Sequence, residues 1–131
     1  MLAALRRPNL SLHWSTPLIS TCSKEALRSV IISQRLLGTK EIVIFHHTDC
    51  GMLTFTNEHL REKVKSESPG NPTVAAAVDG IDFLTFPHLE QSVEDDVKYL
   101  KDSQLLVEGS TVTGWVYDVH SGKVRFALSI I

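Results

Sequence analysis

A histidine, an aspartate and a cysteine follow an apolar segment near the middle of the chain. Residues 41–45 are rich in β-branched side chains, and His47, Asp49 and Cys50 come shortly after them. A short apolar run of this kind predicts a strand that is buried on both faces, as in a parallel sheet. Ligands of open parallel sheets bind beyond the carboxyl ends of the strands. We therefore expect the chemistry of this protein in the loop that carries these three residues.

His47 and Cys50 have the spacing His-x-x-Cys, which lets an imidazole nitrogen and a thiolate face one ion from a tight loop. Zn²⁺ fits this pair because it accepts mixed nitrogen and sulfur ligands at roughly 2.0 to 2.3 Å. A zinc site needs three or four ligands, so the pair predicts part of a site. The structural alternative is a cysteine buried as a small hydrophobe beside a histidine that hydrogen-bonds locally.

Two segments around this loop carry a family resemblance. Residues 28–41 (RSVIISQRLLGTKE) and 46–55 (HHTDCGMLTF) resemble the middle of a β-class carbonic anhydrase, of the small fungal and bacterial type. The resemblance extends more loosely through residues 113–119 and 121–123. It implies an α/β fold, in which a mostly parallel sheet is flanked by helices and followed by a C-terminal β-hairpin.

The resemblance also implies a function and a cofactor. Zn²⁺ would be held by His47 and Cys50, with Asp49 in the second shell or as a cap on the following turn. Zinc lowers the pKa of bound water to about 7, so that hydroxide is available to convert carbon dioxide to bicarbonate. The expected partners are this small substrate and a second subunit, either in a homodimer or by pairing with a full-length relative.

One part of the family pattern is absent from this sequence. In the family, a Cys-x-Asp-x-Arg motif supplies the third zinc ligand and an Asp/Arg catalytic dyad. Cys22 is the only other cysteine, and neither the Asp nor the Arg follows it at the required position. Cys22 is therefore a possible third ligand, no catalytic residue is identified, and we expect little carbon dioxide hydration.

The sequence leaves two other functions open. The chain could be a non-catalytic remnant that binds zinc or pairs with a full-length relative. It could also be a reactive-thiol protein in which His47 activates Cys50 for redox chemistry or nucleophilic attack.

Composition excludes several classes of protein. The 131 residues are 43% hydrophobic and 21% charged, with a net charge of -2, which is typical of a globular domain and gives no electrostatic footprint for nucleic acid. No apolar run approaches the ~18 residues of a membrane span. Two cysteines in unlike contexts favour a reducing compartment, so a cytoplasmic location is predicted.

The first residues differ in composition from the rest of the chain. Residues 1–24 contain no acidic side chain, which resembles a mitochondrial transit peptide, and a mitochondrial location is the alternative. The segment could instead replace the front half of the family fold. We predict an N-terminal extension over residues 1–22, poorly packed or targeting-like, and a β-carbonic-anhydrase-like domain over residues 23–131.

Apolar spacing predicts the remaining elements. A helix from Ser23 to Gly38 is expected with Gln34 and Arg35 on its solvent side, then a charged helix over 56–65. His46 should point away from the loop, into the core. A helix from Pro87 should bury a stripe that runs from Leu89 to Leu100. Its expected wet face consists of Glu90, Glu94, Asp95, Asp96 and Lys98. A hairpin is predicted over residues 110–128, with His120 exposed in its turn.

Overall fold

The computed structural model describes residues 2–7, 10–15 and 24–130. The described elements, in chain order, are β1 (Leu2–Arg7), β2 (Leu10–Ser15), α1 (Lys24–Leu37), β3 (Glu41–His47), α2 (Asn57–Glu67), α3 (Pro72–Asp79), α4 (Leu89–Asp102), β4 (Thr111–Tyr117) and β5 (Val124–Ile130). Among the helices of these residues, none combines the length and the apolar character that a membrane span requires. Cys22 lies outside the described residues.

The five described strands form one mixed sheet in the order β2-β1-β3-β4-β5. The α/β class and the C-terminal hairpin are confirmed. Parallel pairing is confined to β3 and β4, whereas the other three pairs are antiparallel, so the sheet is mixed rather than mostly parallel. Connection length accounts for three of the four pairings: short turns join the antiparallel neighbours β1–β2 and β4–β5, whereas the parallel pair β3–β4 needs a long crossover. Helices α2 to α4 lie in that crossover.

Strands β1 and β2 fall within the predicted N-terminal extension. Their backbones form an antiparallel hairpin, and β1 pairs antiparallel with β3 from Leu2 opposite Phe45 to Arg6 opposite Glu41. The proposed boundary between residues 22 and 23 stays a prediction.

Helices α1 and α4 contribute to a core against one face of the sheet. Alternate residues of β3 point into it, and Ile42, Ile44 and His46 are buried. The intervening Val43 and Phe45 are only half-buried. The prediction that β3 is buried on both faces is therefore wrong for the described chain. The core cluster comprises Ala26, Val30, Ile42, Ile44, Val97, Leu100 and Val112.

Gln34 corrects the predicted solvent side of α1. It is buried, and its side-chain nitrogen Nε2 donates to Ser110 Oγ at 2.8 Å. Its Oε1 accepts from the backbone nitrogen of Val107 at 3.1 Å. An amide whose donor and acceptor are both satisfied can be buried at little cost. Arg35 is exposed as predicted.

Asp82 organises the loop between α3 and α4. Its Oδ1 accepts from the backbone nitrogen of Leu84 at 3.0 Å and from Asn57 Nδ2 at 2.9 Å. These two donors, the Leu84 N–H first, lower the pKa of Asp82 below its ordinary value. Because the native pKa is lowered, the carboxylate contributes its full stabilisation above the unfolded pKa of about 4. This stabilisation is lost as the pH falls through the native pKa.

We expect Asp82→Asn to lower the urea midpoint at pH 7, because a neutral amide accepts these hydrogen bonds less strongly than a carboxylate. At pH 2 to 3 the difference from the wild-type chain should shrink or vanish. Urea denaturation of both proteins across this pH range measures it. An equal difference at every pH would contradict the assignment.

Candidate metal site at the end of strand β3

His47 is the last residue of β3 and is exposed at the edge of the sheet where this strand ends. Its Nδ1 lies 2.8 Å from the carbonyl oxygen of Thr48. A carbonyl oxygen only accepts, so Nδ1 carries the proton of this hydrogen bond. In the neutral ring the free lone pair is therefore on Nε2. Metal-binding histidines are commonly oriented in this way, with one ring N–H held by a carbonyl and the other nitrogen available to the ion.

Cys50 is a free, half-buried thiol three residues after His47. Between them, Asp49 has a φ of 55°, in the left-handed region that aspartate tolerates better than most residues. Cys50 then precedes a short 3₁₀ helix, Gly51–Leu53. The chain thus reverses direction between the two candidate ligands. We call residues 47–50 the metal loop.

The turn between β4 and β5 holds the metal loop. The backbone nitrogen of Thr48 donates to the carbonyl of Tyr117 at 2.9 Å. The Thr48 hydroxyl oxygen accepts from the backbone nitrogen of Val119 at 3.1 Å. Asp49 Oδ2 lies 2.5 Å from His120 Nε2. Three consecutive contacts therefore fix the loop to the hairpin.

His120 is exposed in the hairpin turn as predicted, but its contact with Asp49 was not expected from the sequence. The two residues are 71 positions apart, and the parallel register of β3 and β4 brings the ends of both strands to one edge. Asp49 makes no described cap on the following turn, where Cys50 is the cap residue without a side-chain cap bond. That Asp49 helps to orient the metal ligands without binding the ion itself stays a prediction.

Asp118 shapes the turn that carries His120. Its Oδ1 accepts from the backbone nitrogens of Ser121 at 3.2 Å and His120 at 2.9 Å. These N–H groups hold the pKa of the Asp118 carboxyl below its ordinary value. The turn is therefore organised by a carboxylate at neutral pH.

His46 lies at the centre of a buried polar cluster on the opposite side of β3. Its exposed fraction is 2%, and the prediction of a hydrogen-bonded core histidine is confirmed. Nδ1 lies 2.6 Å from Ser92 Oγ, and Nε2 lies 2.8 Å from Asp96 Oδ2. The Ser92 hydroxyl donates to the carbonyl of Leu89 at 2.7 Å, so it can only accept from the ring. An ionised Asp96 also only accepts, and both ring nitrogens then act as donors.

Asp96 contradicts the prediction of a solvent-facing carboxylate on α4. The sequence predicts it on the wet face of α4, yet its exposed fraction is 1% and its Oδ2 lies 2.8 Å from His46 Nε2 in the core. Ser92 and Asp96 are four residues apart, next to the buried Val93 and Val97. The i, i+4 spacing beside these valines indicates that both polar residues lie on the inner side of α4.

The segment after the metal loop is held by the loop that precedes α4. The backbone nitrogen of Phe86 donates to the carbonyl of Met52 at 3.4 Å, and its ring lies 5.3 Å from that of His46. A cavity of about 290 Å³ lies between residues 53–56 and 85–87. The backbone beyond Cys50 is thus anchored on the same side as His46.

The donor set fits zinc only in part. His47 and Cys50 offer one imidazole nitrogen and one thiolate, which zinc accepts. Within residues 24–130 and the described N-terminal strands, no group of three or more His, Cys, Asp or Glu residues could hold a metal ion. The described residues of this loop therefore offer two candidate donors, whereas zinc needs three or four ligands.

Comparisons with known proteins agree with the local resemblance. No protein-family model matches the chain. β-Carbonic anhydrase 1 of Mycobacterium tuberculosis is 34% identical over 101 residues, which are 77% of this chain and 58% of that protein. The carbonic anhydrase of Streptococcus mutans superposes with a TM-score of 0.73 at 41% identity, over 82% of this chain and 61% of that one. The homologues and structural neighbours of this chain thus include β-carbonic anhydrases, at modest identity over most of its length. The predicted family resemblance is confirmed.

The relatives of this β-carbonic-anhydrase-like chain include proteins with a second activity in their names. A carbon disulfide hydrolase of Acidithiobacillus thiooxidans is 26% identical over 112 residues, or 77% of this chain and 56% of that protein. The chain spans less than two thirds of the length of the relatives described here. By resemblance it groups with carbonic anhydrases, which are lyases.

Proposed function

We propose that this chain carries the histidine and cysteine part of a β-carbonic anhydrase zinc site, for the reversible hydration of carbon dioxide to bicarbonate. The observation that carries the proposal is the hydrogen bond from His47 Nδ1 to the Thr48 carbonyl. This bond leaves Nε2 as the donor atom, on a loop that also presents the free thiol of Cys50. The family resemblance of this loop supports zinc as the ion.

The residues of the loop have separate tasks in this proposal. His47 binds as a neutral imidazole and Cys50 as a thiolate, so metal binding releases protons and weakens at low pH. Thr48 and Asp49 hold the loop against the β4–β5 turn. When bound, zinc supplies the Lewis acidity that ionises water near neutral pH.

The remaining donors must come from elsewhere. We propose Cys22 or a second chain, in a homodimer or in a pair with a full-length relative, as their source. Because the sequence has no Cys-x-Asp-x-Arg motif, the 131-residue chain alone should hydrate carbon dioxide weakly or not at all. The cytoplasmic location, with a mitochondrial alternative, stays a prediction.

Replacing either ligand should weaken metal binding by about 100-fold, because about 10 to 16 kcal/mol of zinc-binding free energy shared over four ligands is about 3 kcal/mol each. Cobalt titration, followed by the absorption of the thiolate–cobalt bond, measures this in His47→Ala and Cys50→Ser. His59→Ala is the matched control, since His59 is exposed on α2. Equal binding by the wild-type chain and both ligand variants would contradict the proposal.

The same proteins are used to determine which substrate the site acts on. Hydration of carbon dioxide is compared with hydrolysis of carbon disulfide, since both activities occur in the names of relatives. Weak carbon dioxide hydration that disappears in Cys50→Ser is the expected result. Turnover of carbon disulfide alone would replace the proposed substrate. Robust carbon dioxide turnover that survives Cys50→Ser would overturn the role of the metal loop.

A further inference from the structure

His46 joins the end of β3 to α4. It is the second-to-last residue of the strand, and it pairs with Val116 of β4, just before His47 pairs with Tyr117. Its ring is held from two sides by Ser92 and Asp96, four residues apart on α4. These three residues form what we call the His46 clamp.

We propose that Ser92 and Asp96 are positioning residues for the metal loop, and that they act through His46. The inference deepens the proposed function, because it takes His47 and Cys50 as the metal ligands. Neither Ser92 nor Asp96 belongs to the loop itself. Their task is to fix the last residues of β3, from which the first ligand projects.

The geometry of a strand explains how the clamp reaches the ligand. Successive side chains of a strand point to opposite faces, so the buried ring of His46 fixes the direction in which His47 leaves the strand. Strand ends open more readily than strand centres. The clamp lies at one such end, and the next hydrogen bond along the chain, from the Thr48 nitrogen to the Tyr117 carbonyl, belongs to the metal loop.

The hydrogen bond of the Thr48 amide shows whether the clamp holds the end of β3, and it can be followed without any metal. Its backbone N–H donates to Tyr117 at one end of the β3–β4 pair, and the N–H of Thr111 donates to Lys40 at 3.0 Å at the other end. Loss of the clamp should expose the Thr48 amide but leave the Thr111 amide protected. Loss of overall stability should expose both amides alike.

Hydrogen exchange of the full metal-free chain tests the inference by NMR. In Asp96→Asn, which keeps the size of the side chain, exchange at Thr48 should rise about 10-fold or more relative to Thr111, because the carboxyl group that contacts His46 Nε2 is replaced by an amide that holds the ring less strongly. Leu100→Ala is the control, since Leu100 is buried on the same helix but has no polar contact with His46. It should raise exchange at both amides by similar factors.

Ser92→Ala keeps the test decisive if Asp96→Asn does not fold, because it removes only the partner of Nδ1. It should also raise exchange at Thr48 selectively, by a smaller factor. Equal increases at Thr48 and Thr111 in the folded clamp variants, as in Leu100→Ala, would overturn the inference and leave the cluster with a purely structural role.

Cobalt affinity separates this inference from the proposed function. If the wild-type chain binds cobalt, Asp96→Asn should weaken binding by about 10-fold, the range seen when groups that orient ligands are removed, while Leu100→Ala should leave it within about twofold. If the wild-type chain binds no cobalt, the proposed function fails, and the exchange ratio still decides whether the clamp holds the loop.

Discussion

Replacing Asp96 with alanine is expected to lower the free energy of unfolding by about 1 to 3 kcal/mol, the cost of leaving a buried polar atom without its partner. The carboxylate is buried, and it faces the Nε2 atom of His46 at 2.8 Å. Removing it leaves a donor of the ring without this acceptor in a place that water does not reach. Urea denaturation followed by Trp115 fluorescence or circular dichroism measures the loss.

Asp95→Ala is the matched control for this variant. Asp95 is the preceding residue of α4, is exposed, and accepts a hydrogen bond only at the surface, from Gln91 Nε2. Its replacement should change the free energy of unfolding by no more than about 0.5 kcal/mol. A cost for Asp96→Ala no greater than that for Asp95→Ala would show that the buried pair adds nothing to stability.

Gly114→Ala is expected to destabilise the fold by about 1 to 3 kcal/mol or more, through overpacking. Gly114 lies on β4, directly beneath α4. A Cβ atom built there would lie 2.5 Å from Val93 Cγ1 and 2.9 Å from Val97 Cγ2. Helix α4 would have to move away from the sheet, and it also carries the partners of His46. Thermal or urea unfolding of the variant measures the effect.

A double-mutant cycle makes this prediction specific. Val93→Ala alone should destabilise the chain by leaving a cavity, but in the Gly114→Ala background it removes the nearer of the two clashing methyl groups and should cost far less. Gly80→Ala is the control, because the nearest atom to its added Cβ would be 3.6 Å away. Additive effects of Gly114→Ala and Val93→Ala would contradict the close packing.

Much of the candidate site could be predicted from the sequence because its determinants are local. The apolar run before His47 predicts β3, the spacing to Cys50 predicts one loop, and alternation along the strand places His46 on the other face. The hairpin follows in the same way from its β-rich segments and its polar turn. These features depend on neighbours within a few positions.

Partners that are distant in the sequence could not be predicted in this way. Helical spacing alone predicts Asp96 and Gln34 at the surface because polar residues usually lie there, whereas Asp96 is buried against a partner 50 positions away and Gln34 against one 76 positions away. His120 reaches Asp49 only because β3 and β4 run parallel and end together. The mixed direction of the sheet likewise depends on which strand takes the place beside β3.

The most direct test of the proposed site is the zinc content of the full chain, measured by elemental analysis after purification without added metal. We predict about one zinc ion per chain, falling to near zero in Cys50→Ser, because His47 and Cys50 bind zinc together with donors from Cys22 or a second chain. A wild-type chain without zinc would contradict this. It would mean that the metal loop keeps the family's shape without its ion.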